Sequence, residues 1–153
     1  MKIKITKEVV GESVIKSSKE NPERIEKVPL YKMLINNQEF AVTRDTNHNN
    51  NFLKIRGDFS ENSECPPSAN EYKGFIRADG KKGHRIQLYE EGVDDGSKSL
   101  IQGKGEMIRS FIQIHKGEGW SRGCFILNKD KNQEFTDLIS NHQGEISVEI
   151  EER

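Results

Sequence analysis

The sequence contains few cysteines and no long apolar run, and each lack excludes a class of protein. Cys65 and Cys124 can form at most one disulfide, so the chain is not a small secreted scaffold held together by many disulfides. No stretch approaches the roughly 20 apolar residues of a membrane-spanning helix. The N-terminal residues also lack the apolar region of a Sec signal. We therefore expect reduced thiols, no membrane insertion, and either a cytoplasmic protein or export by a signal-independent route.

An excess of charge of one sign is missing as well. The 24 lysines and arginines nearly balance the 25 aspartates and glutamates, which leaves a formal net charge of -1 at pH 7. A chain without a basic field does not attract polyanions over long range, so we expect no nucleic-acid partner. CxxC and HxxxH pairs are absent too, and we therefore expect no metal and no other cofactor. The composition leaves the oligomeric state open.

Alternating apolar and polar residues indicate short strands in the first part of the chain. Residues 2–10 and 13–16 are predicted to form an opening hairpin around a turn at Gly11. Residues 31–35 and 39–43 predict a second hairpin, because an asparagine-rich turn separates them. This part of the chain is therefore strand-rich.

Strand patterns continue through the rest of the chain. One short strand is predicted at residues 52–56, between two segments of loop composition. Residues 72–77 and 83–89 predict a third hairpin. A buried strand at residues 107–114 is expected to end at His115.

One segment, residues 132–142, has the pattern of a helix. Phe135, Leu138 and Ile139 form an apolar stripe with helical spacing, and Gly144 is the expected stop. A final strand is predicted at residues 145–151.

Eight or so short strands and one late helix indicate a mainly β fold. We expect one domain over residues 1–153, built as a sandwich or a partly closed barrel with one C-terminal helix. Residues 1–70 form its strand-rich N-terminal part. Residues 71–153 form the part that we expect to carry catalysis.

The segment IQIHKGEGWSRGCFIL, residues 112–127, carries the candidate chemistry. Cys124 follows His115 by nine positions across a glycine-rich loop. A free thiol with a pKa of about 8.5 is mostly protonated at neutral pH, so a nearby imidazole that takes its proton makes it a better nucleophile. Gly123 has no Cβ, so a substrate carbonyl can approach the amides of residues 123 and 124 as an oxyanion hole. A buried structural cysteine and a structural histidine are the competing interpretation.

This segment resembles the catalytic domain of YkuD-type L,D-transpeptidases, whose motif runs His-Gly, a spacer, then Ser-His-Gly-Cys. It is more similar still to small bacterial and phage relatives, in which a shorter loop ends in Gly-Cys-Ile and one helix and one strand follow. The matching residues are Ile114, His115, Gly117, Gly123, Cys124 and Ile126. The resemblance is best over residues 72–150 and implies an L,D-transpeptidase-like fold.

The resemblance implies a role for each matching residue. Cys124 becomes the nucleophile, His115 the general base, and the Gly123 and Cys124 amides the oxyanion donors, while Ser121 orders the loop. The implied substrate is a peptidoglycan stem peptide, which forms a thioester that an amine or water resolves. Arg122 stands where the larger family has histidine, and Ile126 replaces its usual arginine.

Four further residues are candidate substrate contacts. Arg122 can pair with a substrate carboxylate, and Trp120 can form a wall of the groove. His84 and Arg109 lie on predicted strands that can neighbour the site. The competing interpretations are a solvated loop arginine, a core tryptophan and surface strand positions.

Two other functions are compatible with the residues. The protein can be a catalytically inactive binding or assembly module that keeps the β scaffold, or a cysteine peptidase or amidase of another lineage that uses water as its acceptor.

Overall fold

The computed structural model describes residues 1–16, 25–44, 71–93, 95–102, 108–117 and 124–151. Over these residues the strands are β1 Lys2–Lys16, β2 Ile25–Ile35, β3 Gln38–Val42, β4 Glu71–Arg77, β5 Arg85–Tyr89, β6 Leu100–Gln102, β7 Ile108–Ser110, β8 Gln113–Lys116, β9 Phe125–Leu127 and β10 Ile146–Ile150. A 3-10 turn, Lys129–Lys131, leads into the helix α1, Asn132–Ser140.

Eight of these strands close into a barrel. Their order around the barrel is β1, β10, β4, β5, β8, β9, β3 and β2, while β6 and β7 form a separate two-stranded sheet. The pairs β1–β10 and β8–β9 are parallel, and the other neighbours are antiparallel. The predicted mainly β fold with one C-terminal helix is confirmed, and of the two expected architectures the structure is a closed barrel.

The barrel interior holds the apolar core. Because side chains alternate across a strand, each strand sends every second residue inward. Ile86 and Leu88 of β5, Ile114 of β8, and Phe125 and Leu127 of β9 all belong to this core. The polar residues between them therefore face outward.

Helix α1 completes the core. Its buried residues are Phe135 and Ile139, and the Phe135 ring meets the Phe40 ring edge to face at a centroid distance of 6.1 Å. The helix lies where the apolar stripe predicts it and ends two residues earlier than expected. Gly144, with a φ of 103°, adopts the left-handed conformation that favours glycine. No helix in the described part of the chain has the length and apolar character needed to cross a bilayer.

The predicted turn at Gly11 is wrong. Strand β1 continues through this position and pairs with β2 along its length, with register shifts between Ile5 and Val9 and between Val9 and Gly11. A β-bulge absorbs an extra residue while the strand goes on, so the alternation changes phase without a reversal. The chain therefore still begins with a hairpin, but β2 supplies its second strand.

The prediction of one continuous strand over residues 107–114 is also wrong. The segment is divided into β7 and β8, and Phe111 between them has a φ of 58°. A left-handed residue cannot continue an extended strand, so β7 pairs with β6 and β8 pairs with β5 and β9.

The other two predicted hairpins are confirmed as β2–β3 and β4–β5. Asn36 and Asn37 both have positive φ in the first of these turns, as a two-residue hairpin loop requires. The final predicted strand is confirmed as β10. The predicted strand at residues 52–56 lies outside the described residues.

Gly74 of β4 provides a test of the barrel packing. A Cβ there would stand 2.9 Å from Ile86 Cγ2 and 3.2 Å from Ile146 Cγ2, and both are methyl groups on stiff β-branched side chains. We predict that Gly74→Ala lowers the free energy of unfolding by about 1–3 kcal/mol, the usual range for overpacking. Urea denaturation measures this change. Gly92→Ala is the matched control, because nothing lies within 4 Å of the methyl group that this substitution adds, and equal stability of the two variants would contradict the packing.

Candidate functional site

His115 and Cys124 lie on the same outer face of the barrel, on adjacent strands. In the parallel β8–β9 pair, Ile114 is level with Phe125 and His115 is level with Ile126. One residue earlier in this register, Cys124 is level with Gln113. His115 and Cys124 are therefore offset by two residues on neighbouring strands. With strands about 4.8 Å apart and a rise of about 3.3 Å per residue, their Cα atoms are about 8 Å apart. The structure thus places the two predicted residues as diagonal neighbours.

The outer face at this point is covered by another part of the chain. His115 is 7% exposed and Cys124 is 8% exposed. The Cys124 thiol donates a hydrogen bond to the carbonyl oxygen of Phe111 at 3.5 Å. The amide nitrogen of Phe111 in turn donates to the carbonyl oxygen of Ser99 at 3.0 Å. The segment around Phe111 therefore covers the Cys124 thiol and is itself tied to Ser99.

One hydrogen bond determines the tautomer of His115. Its Nδ1 lies 2.6 Å from the carbonyl oxygen of Lys116. Because a carbonyl can only accept, Nδ1 must carry a hydrogen and donate it. In the neutral ring, Nε2 then has the lone pair and is the atom that can take a proton from a nucleophile.

Burial keeps His115 neutral. It lowers the pKa of His115 to about 4 because the charged ring is poorly solvated there, and the positive charges of Lys82 and Arg85 act in the same direction. The Lys116 carbonyl acts in the opposite direction and is outweighed. At neutral pH the imidazole is therefore uncharged and has a proton-accepting nitrogen.

A closed circuit of hydrogen-bonded side chains lies beside His115. We call Arg77, Asp79, Arg85, Gln87 and Gln113 the polar ring. In order around it, Arg77 donates to Gln87, Gln113 donates to Gln87, and Arg85 donates to Gln113, at 2.8, 2.8 and 3.1 Å. Arg85 and Arg77 both donate to Asp79, which closes the circuit.

The polar ring fixes the backbone around the candidate pair. Arg85 also donates to the carbonyl oxygens of Asp79 and Gly83. Gln87 donates to the Lys98 carbonyl at 2.7 Å and so ties the chain just before Ser99 to the barrel. The hydrogen bond from Arg77 lowers the pKa of Asp79, which keeps the carboxylate ionised between the two guanidinium groups. The polar ring is thus a network with its hydrogen bonds already made rather than an open anion site.

Phe111 stands over the site in an unusual conformation. Its φ of 58° is costly for a residue with a bulky side chain, and such strain tends to collect at functional positions. Phe111 is 55% exposed, and the centroid of its ring lies 5.9 Å from the Arg77 guanidinium carbon. An exposed aromatic side chain offers apolar contact area to a ligand.

The described structure contains no hydrogen bond between His115 and Cys124. The thiol proton is directed to the Phe111 carbonyl, and the His115 ring is anchored at Nδ1. The arrangement holds both groups on one face but does not join them. A transfer of the thiol proton to Nε2 therefore requires rotation of at least one of the two side chains.

For most of the other predicted site residues the described structure gives no side-chain position. Trp120, Ser121, Arg122 and Gly123 lie outside the described residues. His84 precedes β5, and within the described residues no hydrogen bond or ion pair links it to the pair. The backbone of Arg109 pairs with Ile101 in the separate two-stranded sheet.

The sequence interpretation missed the polar ring and Phe111. Strand β5 reads Arg-Ile-Gln-Leu-Tyr and β8 reads Gln-Ile-His-Lys. Long polar residues at alternate positions of both strands are the sequence signal of the polar ring. The same alternation is typical of any strand with one face toward solvent, so it did not identify the network.

A metal site would need several ligating side chains close together. Within the described ranges, no group of three or more His, Cys, Asp and Glu side chains is arranged to hold a metal ion.

The titration of His115 gives a test of its burial. Its folded pKa of about 4 lies below the unfolded value near 6.5, so the unfolded chain takes up the proton first as the pH falls. The stability that neutral His115 contributes is complete above pH 6.5 and is lost between about pH 6.5 and 4, at no more than about 1.4 kcal/mol per pH unit. Urea denaturation at a series of pH values measures this slope.

We predict that His115→Gln flattens this pH dependence of stability, because the substituted side chain has no proton to take up in this range. A slope that survives in His115→Gln would mean that another group causes it.

Comparisons of the chain with models of known protein families, with curated proteins and with solved structures found no match. The resemblance in residues 112–127 stays a prediction, and the candidate site stands on its own residues and geometry.

Proposed function

We propose that the protein is a cysteine-dependent acyl transferase or hydrolase that acts on peptidoglycan stem peptides. The observation that carries the proposal is the placement of His115 and Cys124 on one outer face of adjacent parallel strands. Backbone pairing holds their Cα atoms in place, so a nucleophile and its base lie within reach of each other by side-chain rotation alone. The tautomer of His115 supports the same roles, because Nε2 is the nitrogen left to accept a proton.

In the proposed reaction the thiol of Cys124 loses its proton to Nε2 of His115 as the sulfur attacks a peptide carbonyl carbon. The carbonyl electrons move to oxygen, and the tetrahedral intermediate collapses to a thioester. The departing amine receives the proton from His115. An amine or a water molecule then attacks the thioester carbonyl carbon and gives its proton to His115, and the departing thiolate of Cys124 takes this proton back. An amine acceptor makes the protein a transferase, and water makes it a hydrolase.

This proposal requires a change in the surroundings of His115 during the reaction. A proton passes uphill from a thiol to an imidazole whose pKa is about 4. Rotation of the side chains toward each other pairs the imidazolium with the thiolate, and this attraction favours the charged ring. The described arrangement is, under this proposal, the resting state.

The proposed substrate class depends on the sequence resemblance. Phe111 supports a substrate site near Cys124, because the residue is exposed and its carbonyl accepts the thiol hydrogen. A substrate that displaces this segment frees the thiol from the carbonyl at the same time. Substrate binding and activation of the nucleophile are thereby coupled.

A second candidate is the inactive binding or assembly module. Two observations favour it: the thiol donates to the Phe111 carbonyl rather than to His115, and burial holds His115 in a weakly basic state. Buried, hydrogen-bonded cysteines and histidines are common structural residues. Thiol reactivity separates the two candidates.

We predict that muropeptides incubated with the protein give hydrolysed or cross-linked products detectable by mass spectrometry. Cys124→Ala should abolish product formation, because it removes the sulfur that forms the thioester. His115→Gln should reduce the rate by about 10²–10⁴-fold, the usual contribution of a general base. Reactions with and without an added amine acceptor distinguish transferase from hydrolase. His142→Gln is the histidine control, and equal product from all variants would reject the assignment.

We predict that iodoacetamide alkylates Cys124 in the folded protein, as followed by mass spectrometry in a Cys65→Ser background. His115→Gln should slow the reaction at neutral pH by tenfold or more, because the base that assists loss of the thiol proton is gone. Circular dichroism under the same conditions confirms that both proteins are folded. A thiol that reacts only after denaturation, with or without His115, would favour the binding module.

A further inference from the structure

Among the described residues, the outer part of β1 has a strand neighbour on one side only. β10 pairs with β1 only at Lys2–Ile5, whereas β2 pairs with β1 as far as Lys16. Over residues 12–16, which we call the edge segment, β2 is the only strand neighbour within the described part of the chain. The pairing with β2 there is regular, because both register shifts lie before Gly11 or at it. An unpaired, regular edge is a template for another strand.

Pro29 indicates which backbone groups of the edge segment point outward. Glu12 is level with Pro29 of β2. Proline has no N–H to donate, so within an antiparallel pair it is accommodated at a position that does not exchange hydrogen bonds. The N–H and C=O of Glu12 therefore point away from β2, and those of Val14 and Lys16 do the same because the pattern repeats every two residues. The edge thus offers three donors and three acceptors.

We propose that the edge segment pairs antiparallel with the edge segment of a second copy of this chain. In the register centred on Val14, Glu12 of each copy lies opposite Lys16 of the other, and Val14 lies opposite its own equivalent. This register therefore puts residues of opposite charge, and a pair of valines, at facing positions across the two-fold axis. The outward N–H and C=O groups of Glu12, Val14 and Lys16 meet their counterparts in the same register.

The charges make this arrangement specific. Parallel pairing in register places Glu12 opposite Glu12 and Lys16 opposite Lys16, and like charges directly opposite each other destabilise a strand pair. A shift of the antiparallel register by two residues removes both Glu–Lys pairs. Val14 is 48% exposed, so it is available to a partner. The bulge at Val9–Gly11 ends the regular edge, which limits the contact to a short one.

The expected assembly is a closed dimer. A two-fold contact uses the same patch on both copies, so it cannot continue into a fibre. The edge segment is short, and we therefore expect a dimer that dissociates on dilution. Sedimentation velocity of the full chain over a hundredfold range of concentration should show a rise in mass from 17.5 kDa toward twice that value.

A charge-swap series tests the register. Glu12→Lys and Lys16→Glu each place like charges opposite each other, and each should shift the midpoint of dimerisation to at least tenfold higher concentration. The double variant restores opposite charges in the reversed order and should restore dimerisation. A chain that is monomeric at every concentration overturns the proposal, and so does a dimer that neither single variant weakens. Single variants that both weaken the dimer without rescue by the double variant overturn it as well.

A cysteine pair provides an independent measurement of the same register. In a Cys65→Ser background, Val14→Cys places two thiols opposite each other at the two-fold axis, within the Cα separation of about 4.4–6.8 Å that a disulfide accepts. Mild oxidation should give a covalent dimer. Ser13→Cys is the matched control, because residue 13 lies opposite residue 15 of the partner and its thiols are offset by two residues. Equal cross-linking of the two variants would contradict the proposed register.

Discussion

The parallel pairing of β8 with β9 is the interaction on which both the barrel and the candidate site depend. β9 is three residues long, yet it pairs with β8 on one side and joins β3 on the other through Val42 and Leu127. Hydrogen bonds from Thr43 to the Ile126 carbonyl and from Asn128 to the Ala41 carbonyl extend this second contact. The same strand that closes the barrel therefore sets Cys124 on the face of His115. Loss of this pairing would open the barrel and would at the same time separate Cys124 from His115.

Burial of polar groups on the outer face imposes a second constraint. A buried polar group is tolerated when its hydrogen bonds are made, and a partly satisfied network is worse than an apolar one. The polar ring meets this condition, since each guanidinium of Arg77 and Arg85 donates to several acceptors. His115 meets it by staying neutral and by donating to the Lys116 carbonyl. Burial on this face thus accompanies both the satisfied hydrogen-bond network and the weak basicity of the histidine.

The alternation of apolar and polar residues was enough to predict two of the three hairpins, the helix and the final strand, because these features depend on neighbouring residues. The continuation of β1 through Gly11 was not predictable, since a bulge and a turn leave the same break in the pattern. The break at Phe111 arises from long-range pairing of β7 with β6 and of β8 with β5 and β9. For the site, the sequence indicated His115 and Cys124 but not the polar ring. Alternation shows that a residue faces outward, but it does not show whether another segment of the chain covers that residue.

The circular strand order relates the two proposals in space. β8, which carries His115, is four strands away from β1 in either direction around the barrel, so the two strands lie on opposite sides. A second copy paired with the edge segment of β1 therefore leaves the face around Phe111 and Cys124 open. In the closed barrel the backbone of β8 and β9 is held by neighbours on both sides, so the activation that we propose depends on side-chain rotation and on displacement of the segment around Phe111. Because these movements and the β1 edge involve different strands, association of two copies and reactivity of Cys124 can vary independently.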